Sequence, residues 1–187
     1  MRTVKSILNI ISTILVVILV ILAILLAGVR VFGLTPYTVL SGSMEPNYHV
    51  GSLVYVKKTD APDLKEGDAI TYMADEKTIV THRIAQIVPD EEDASVLRFI
   101  TKGDANDKRD AAPVHQNNVI GKVLFTVPYL GYVSEYIRHA PGMYVAIGAC
   151  LALLILTFLP GLIADEATKK KDEKEKPNGP EGPENNK

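Results

Sequence analysis

The sequence predicts a mainly β protein, in which an antiparallel β domain at residues 30–140 lies between two transmembrane helices at residues 7–29 and 141–163. Two long apolar runs flank the middle of the chain, and short apolar or alternating runs of strand length fill that middle. No long segment of helical period interrupts the short runs. This pattern favours an antiparallel sheet over alternating strands and helices.

The first apolar run extends from Ile7 to Val29 and is dominated by isoleucine, leucine, valine and alanine. A helix needs about 20 such residues to cross the hydrocarbon core of a bilayer. A cleaved secretory signal is the competing interpretation, because Arg2 and Lys5 precede the run. The run is longer than the apolar region of such signals, and no clear small-x-small cleavage site follows it. An uncleaved anchor is therefore expected.

The second apolar run, residues 141–163, contains no charged side chain, and several lysines follow it between positions 169 and 176. Because basic residues also precede the first run, the positive-inside rule places both termini, residues 1–6 and 164–187, in the cytoplasm. The segment between the helices is then extracytoplasmic. Residues 164–187 have mixed charge and no apolar periodicity, and are predicted to be disordered.

Short runs of strand length make up the predicted β domain. Clusters of glycine, aspartate, asparagine and proline separate them, as is typical of turns. The predicted strands are residues 51–57, 68–73, 78–81, 83–88, 96–101 and 119–127.

Charge and ligand patterns argue against several classes of function. The net charge is −2, and no basic stripe with interleaved aromatic residues occurs, so nucleic-acid binding is not expected. No His-Glu-x-x-His motif, paired Cys-x-x-Cys motif or carboxylate cluster with ligand spacing is found. The sequence therefore predicts no metal and no cofactor.

Two side chains are candidates for nucleophilic catalysis. Ser43 lies in a polar turn shortly after the first apolar run, and a serine hydroxyl needs an adjacent base to act as a nucleophile. His82 lies in the run Ile79–Ile84, between two predicted strands, and strand alternation through this run places it on the same face as Val80 and Ile84. A neutral imidazole is suited to act as that base.

A third group must orient the imidazole, and the turn after the fifth predicted strand offers Asp104, Asp107 and Asp110. Each candidate alone also has an ordinary structural interpretation, as a turn residue or a half-buried histidine. Their combination indicates catalysis. The remaining histidines are expected at the surface: His49, His115 and His139.

Five short motifs follow one another along the region between the helices. They are Ser41-Gly-Ser-Met-Glu-Pro46, Asp68-Ala-Ile-Thr71, Thr81-His-Arg-Ile84, Thr101-Lys-Gly-Asp104 and Val127-Pro-Tyr-Leu-Gly131. The ordered set resembles the type I signal peptidases of archaea, the endoplasmic reticulum and some spore-forming bacteria. The resemblance covers nearly all of the region between the predicted helices.

The resemblance implies roles for His82 and for the two serines of the turn at Ser41–Pro46, which is called the serine turn below. Ser43 is the expected nucleophile, and His82 stands where the bacterial housekeeping branch of the family carries a lysine base. The hydroxyl of Ser41 and the backbone N–H of Ser43 are expected to bind the oxyanion of the tetrahedral intermediate.

The aspartates match the family box K-G-D-N-N-x-x-D-D less completely. Asp104 and Asp110 correspond to its first and last aspartates, whereas Ala105 and Arg109 depart from it. Both aspartates are therefore expected in the catalytic set, and the division of labour between them stays open.

The family resemblance implies removal of signal peptides from secretory preproteins by a membrane-bound serine endopeptidase. The expected partners are these signal peptides and the lipid bilayer, and the need for accessory subunits stays open. A self-cleaving repressor-type peptidase is a weaker alternative, because it would carry lysine at the position of His82. The other alternative is a catalytically silent membrane-anchored β domain that binds preproteins or scaffolds a complex.

Overall fold

The computed structural model describes residues 2–155 and residue 157. Residues 20–146 form one compact unit, and the described residues of a second unit, 2–19, 147–155 and 157, are helical. The predicted disordered tail at 164–187 lies outside the described residues. So do residue 156 and residues 158–163 of the second predicted span.

The helices lie at the two ends of the described chain. Helix α1 covers Arg2–Leu26 and is followed by a 3-10 turn at Gly28–Phe32. Helix α2 covers Leu130–Arg138, and a further helix, α3, covers Ala140–Ile155. Within the described residues no single helix meets the length and apolarity needed to cross a membrane, whereas the bent pair of α2 and α3 meets them together.

The sheet contains seven strands in the described part of the chain, and each pair of neighbours is antiparallel. The prediction of a mainly antiparallel β domain is confirmed. The order across the sheet is β1-β2-β7-β3-β4-β5-β6. The strands are β1 (Leu34–Thr38), β2 (Leu53–Lys57), β3 (Ala69–Met73), β4 (Ile79–Pro89), β5 (Leu97–Lys102), β6 (Val114–His115) and β7 (Val119–Val127).

Strand β4 unites two of the predicted strands and changes partner along its length. Residues 79–83 pair with β3, and residues 83–89 pair with β5. The first four residues of β4 therefore have no strand partner on their second edge within the described chain. This open edge begins beside the candidate catalytic histidine.

Strand β2 is buried on both faces, and its alternating side chains belong to two core clusters. Val54 and Val56 pack with Met44, which follows the candidate nucleophile. Leu53 and Tyr55 pack on the opposite face with Leu130 of α2 and with leucines from the end of α1. The alternation of side chains along β2 thus connects the serine turn with the two helices.

Candidate active site

Two contacts hold the serine turn in place, one through the Met44 side chain and one through the Ser43 carbonyl oxygen. Met44 is buried in the core, and burial of such a side chain contributes about 1.5–3 kcal/mol. The backbone N–H of Ala105 donates a hydrogen bond of 2.9 Å to the carbonyl oxygen of Ser43. These two contacts fix the backbone at Ser43 and at Met44 directly after it.

Ser43, His82 and Asp110 form a hydrogen-bonded row. The Oγ atom of Ser43 lies 3.1 Å from Nε2 of His82, and Nδ1 of His82 lies 2.6 Å from Oδ2 of Asp110. A carboxylate accepts the proton of Nδ1, which leaves Nε2 free to accept the proton of a serine hydroxyl. The row has the connectivity of a nucleophile, a general base and an orienting carboxylate.

Asp110 receives further hydrogen bonds from two buried side chains. The hydroxyl of Thr101 donates to Oδ2 at 2.6 Å, and the hydroxyl of Tyr72 donates to the same oxygen at 3.2 Å. The Asp110 backbone N–H also donates to the carbonyl of Thr101 at 2.8 Å. The carboxylate is therefore fixed from both strands β3 and β5.

Asp104 forms an ion pair with Arg83, the residue that directly follows His82 on β4. Nε and Nη2 of Arg83 donate to the two carboxylate oxygens at 2.8 and 2.6 Å, and Asn47 donates to Oδ2 at 2.7 Å. Burial alone would raise the pKa of Asp104, but the hydrogen bonds from Arg83 and Asn47 outweigh it and lower that pKa. The structure thus places Asp104 beside the row and links β4 to the loop that follows Ser43.

The two departures from the family box have simple structural settings. Ala105 contributes its backbone N–H to the site, and the contact does not depend on its side chain. The guanidinium of Arg109 donates to Gln86 at 3.0 Å. Asp107, the third aspartate in this turn, is exposed.

The other histidines lie away from the row. His49 is exposed and pairs with Glu45, and His139 is exposed and lies 2.9 Å from the carbonyl oxygen of Glu135. His115 is half-buried and accepts a hydrogen bond from the backbone N–H of Asn117. Within the described residues, no group of three or more histidine, cysteine or acidic side chains has a metal-binding arrangement.

A groove of about 520 Å³ leads to the Ser43–His82 pair. Residues 37–41 line one wall, and residues 79–82 at the open edge of β4 line the other. The hydroxyl of Ser41 also faces the groove and lies 3.3 Å from that of Ser43. An extended peptide in the groove would therefore contact both the candidate nucleophile and the predicted oxyanion donor.

Several residues of the site were not singled out from the sequence. Thr101 and Gly103 belong to the Thr-Lys-Gly-Asp motif, which is a signal that could have identified them. Tyr72 and Asn47 have no comparable motif, because their contacts depend on how β3 and the serine loop meet the aspartate loop.

A hydroxyl, an imidazole and a carboxylate in one row beside a groove define a site of the serine peptidase class. Residues 10–94 match the family model described as signal peptidase, peptidase S26. This segment of the chain is similar to that family of peptidases, and the resemblance found in the motifs is confirmed.

The curated relatives include signal peptidases from bacteria and mammals. Signal peptidase I W of Bacillus subtilis (strain 168) is 51% identical over 90 residues, which cover 48% of this chain and 46% of the relative. The signal peptidase complex catalytic subunit SEC11C of Rattus norvegicus is 27% identical over 126 residues, which cover 63% of this chain and 65% of the relative. The matches thus span from about half to just under two thirds of the length of these relatives.

Proposed function

We propose that this chain is a membrane-bound signal peptidase that removes signal peptides from secretory preproteins through an acyl-enzyme on Ser43. The observation that carries the proposal is the row in which His82 lies 3.1 Å from the Ser43 hydroxyl and 2.6 Å from Asp110. The family match and the signal peptidases among the relatives support the same substrate class.

The acylation step uses each member of the row. Ser43 Oγ attacks the carbonyl carbon of the scissile peptide bond while Nε2 of His82 takes the hydroxyl proton. The imidazolium then gives this proton to the departing amine, and the peptide C–N bond breaks. Asp110 holds the imidazole orientation and stabilises its charged form.

Deacylation uses the same groups, with a water molecule as the nucleophile and Ser43 Oγ as the leaving group. His82 takes a proton from a water molecule, and the resulting hydroxide attacks the ester carbonyl. The proton returns to Ser43 Oγ as the ester bond breaks, which releases the signal peptide with a free carboxylate. The enzyme is regenerated with its original protons.

The hydroxyl of Ser41 and the N–H of Ser43 stabilise the oxyanion in both steps. The 3-10 turn begins at Gly42, so the N–H of Ser43 is among the first donors of the turn and has no partner within it. The Ser41 hydroxyl lies on the groove side of the nucleophile. Two donors aimed at a developing oxyanion contribute to the rate because they are in place before the reaction.

The substrate binds as an extended strand in the groove. Residues 79–82 of β4 have an open edge there, and main-chain hydrogen bonds to such an edge hold an extended peptide regardless of its sequence. Val39 and Leu40 on the opposite wall contact the side chains of the peptide. This arrangement accommodates preproteins whose signal sequences differ.

Asp104 is a positioning residue in this proposal and does not contact Ser43 or His82 in the reaction. It holds Arg83 and Asn47 together, and Arg83 directly follows the histidine on β4. Because neighbouring residues of a strand point to opposite faces, this ion pair fixes the strand from the side away from the row. Asp104 therefore contributes to the placement of His82 relative to the serine turn.

The membrane arrangement in this proposal has two spans and both termini in the cytoplasm. Residues 7–29 and 141–163 cross the bilayer, residues 30–140 are extracytoplasmic, and residues 164–187 form a cytoplasmic tail. A bound signal peptide shares the plane of the bilayer with the enzyme, which supplies part of the orientation that the bimolecular step requires.

Cleavage of a preprotein by the full chain in detergent tests this proposal. Wild type is expected to cut a preprotein with a small-x-small site and to produce a mature N-terminus directly after it. Folded Ser43→Ala is expected to leave the preprotein intact. Equal cutting by this variant would refute the nucleophile assignment, and wild type that binds preprotein without cutting it would favour a catalytically silent binding domain.

A further inference from the structure

The hydroxyl of Tyr72 is a polar group inside an apolar core cluster. Tyr72 is 5% exposed and packs with Leu64, Ile70, Ile84 and Phe99. Its hydroxyl oxygen lies 3.2 Å from Oδ2 of Asp110 and 3.3 Å from the hydroxyl oxygen of Thr101. A phenylalanine would fill the same volume without the cost of burying a hydroxyl.

The Tyr72 hydroxyl meets the carboxylate oxygen that also contacts the histidine. Oδ2 of Asp110 lies within hydrogen-bond distance of His82 Nδ1, the Thr101 hydroxyl and the Tyr72 hydroxyl. Hydrogen bonds to a carboxylate stabilise its charge and reduce its attraction for a neighbouring proton. The two hydroxyls therefore compete with the imidazole for the same negative charge.

We propose that Tyr72 is a positioning residue for the peptidase reaction, whose hydroxyl orients Asp110 and limits how strongly that carboxylate holds a proton on His82. The proposal rests on the proposed function of the Ser43–His82–Asp110 row. In this proposal β3 is connected to His82 through the Asp110 carboxylate. Tyr72 itself does not contact the substrate.

The surroundings of Tyr72 keep its hydroxyl protonated. Burial raises the pKa of Tyr72 to about 12, so the side chain remains a donor at neutral and mildly alkaline pH. The titratable groups that face it in the described structure are His82 on β4, with the ring centroids 6.5 Å apart, and Asp110 in the loop after β5. Thr101 on β5 is a neutral neighbour, and the remaining contacts of the cluster are apolar.

Tyr72→Phe in the full chain tests the proposal, with Tyr55→Phe as the matched control. Tyr55 is also buried, and its hydroxyl donates to the carbonyl of Leu25 at 2.9 Å, away from the row. Both variants lose one hydroxyl from the core and its hydrogen bond. Only Tyr72→Phe removes a donor to Asp110.

The expected kinetic result is a loss of kcat of about three- to tenfold for Tyr72→Phe, corresponding to one hydrogen bond, with KM unchanged. The acid limb of its kcat/KM profile is expected to move to higher pH, because Asp110 then stabilises the imidazolium more strongly. Tyr55→Phe is expected to keep the kcat and pH profile of wild type. A Tyr72→Phe profile and kcat equal to those of the control would overturn the proposal.

An NMR titration of the His82 ring separates this inference from the proposed function, because it does not require cleavage. The midpoint is expected to move to higher pH in Tyr72→Phe relative to wild type and Tyr55→Phe. Thr101→Val is expected to shift it in the same direction, and Thr101→Ser, which keeps a hydroxyl, to restore the wild-type value. A midpoint unchanged in Tyr72→Phe would overturn the role of Tyr72 even in an active peptidase.

Discussion

Gly103 lies against the backbone of Ser43, so that a Cβ atom added at Gly103 would stand 2.6 Å from the Ser43 carbonyl oxygen. The next loop residue but one, Ala105, donates its backbone N–H to the same oxygen at 2.9 Å. The loop that carries both aspartates is therefore also the support of the serine turn. This contact joins the candidate nucleophile and the loop that carries Asp110 in one local assembly.

Gly103→Ala is expected to lower kcat/KM at least tenfold, because the added methyl group displaces the Ser43 backbone from the loop. Overpacking of this kind also destabilises a domain by about 1–3 kcal/mol. Cleavage kinetics and thermal unfolding of the full chain measure the two effects. Gly28→Ala is the control, since its added Cβ would lie at an ordinary 3.5 Å from Ile24. Wild-type activity in Gly103→Ala would contradict the supporting role of this contact.

The two aspartates are expected to respond differently to removal of their charge. Asp110→Asn should reduce kcat by about 10²- to 10⁴-fold, because an amide favours the wrong imidazole tautomer and stabilises the imidazolium poorly. Asp104→Asn should reduce it less, because Asp104 contacts Arg83 and Asn47. Single-turnover cleavage by the two folded variants checks the order. A larger loss for Asp104→Asn would reverse the assigned roles.

The Asp104–Arg83 pair is expected to make the free energy of unfolding depend on pH in the acid range. Since the folded pKa of Asp104 is lowered, its contribution is full above the ordinary aspartate pKa of about 3.9 and is lost as pH falls through the folded pKa. Wild type should therefore unfold at a higher temperature than Asp104→Asn at pH 6, with a smaller difference near pH 3. Asp107→Asn, at an exposed position, serves as the control. A difference independent of pH would argue against this linkage.

Tyr72 is expected to limit stability at alkaline pH. Its folded pKa is raised to about 12, so its contribution is complete below the ordinary tyrosine pKa of about 10 and is lost as pH rises through the folded value. Tyr72→Phe should weaken the dependence of unfolding on pH between 10 and 12. Thermal unfolding across this range, compared with wild type, measures the effect. An unchanged slope would show that Tyr72 does not titrate with unfolding.

The sheet could be predicted in large part because its central strands are short, apolar and bounded by turn residues. Strand β1 was missed because it contains Pro36, and β6 because it has only two residues. Helix α2 was missed because it has only nine residues, too few for its apolar positions to establish a helical period. Such elements depend on tertiary contacts more than on local pattern.

The candidate site residues could be named from motifs, whereas their arrangement required coordinates. Asp104 and Asp110 are six residues apart in one loop, and either could have faced the histidine. The direction of Arg83 on β4 determines which aspartate it pairs with, and this is a tertiary property. Tyr72 lies in a different strand, and its contact with Asp110 depends on the order of β3, β4 and β5 in the sheet.

Trapping of the acyl-enzyme tests the central claim most directly. Full-length protein is mixed with a slowly hydrolysed peptide ester that carries a small residue at the cleaved bond, quenched in acid and mapped by mass spectrometry. The predicted result is one acyl group on Ser43 in wild type, a much slower appearance of this group in folded His82→Ala, and none in folded Ser43→Ala. An acyl group on another residue, or wild-type turnover by Ser43→Ala, would contradict the account.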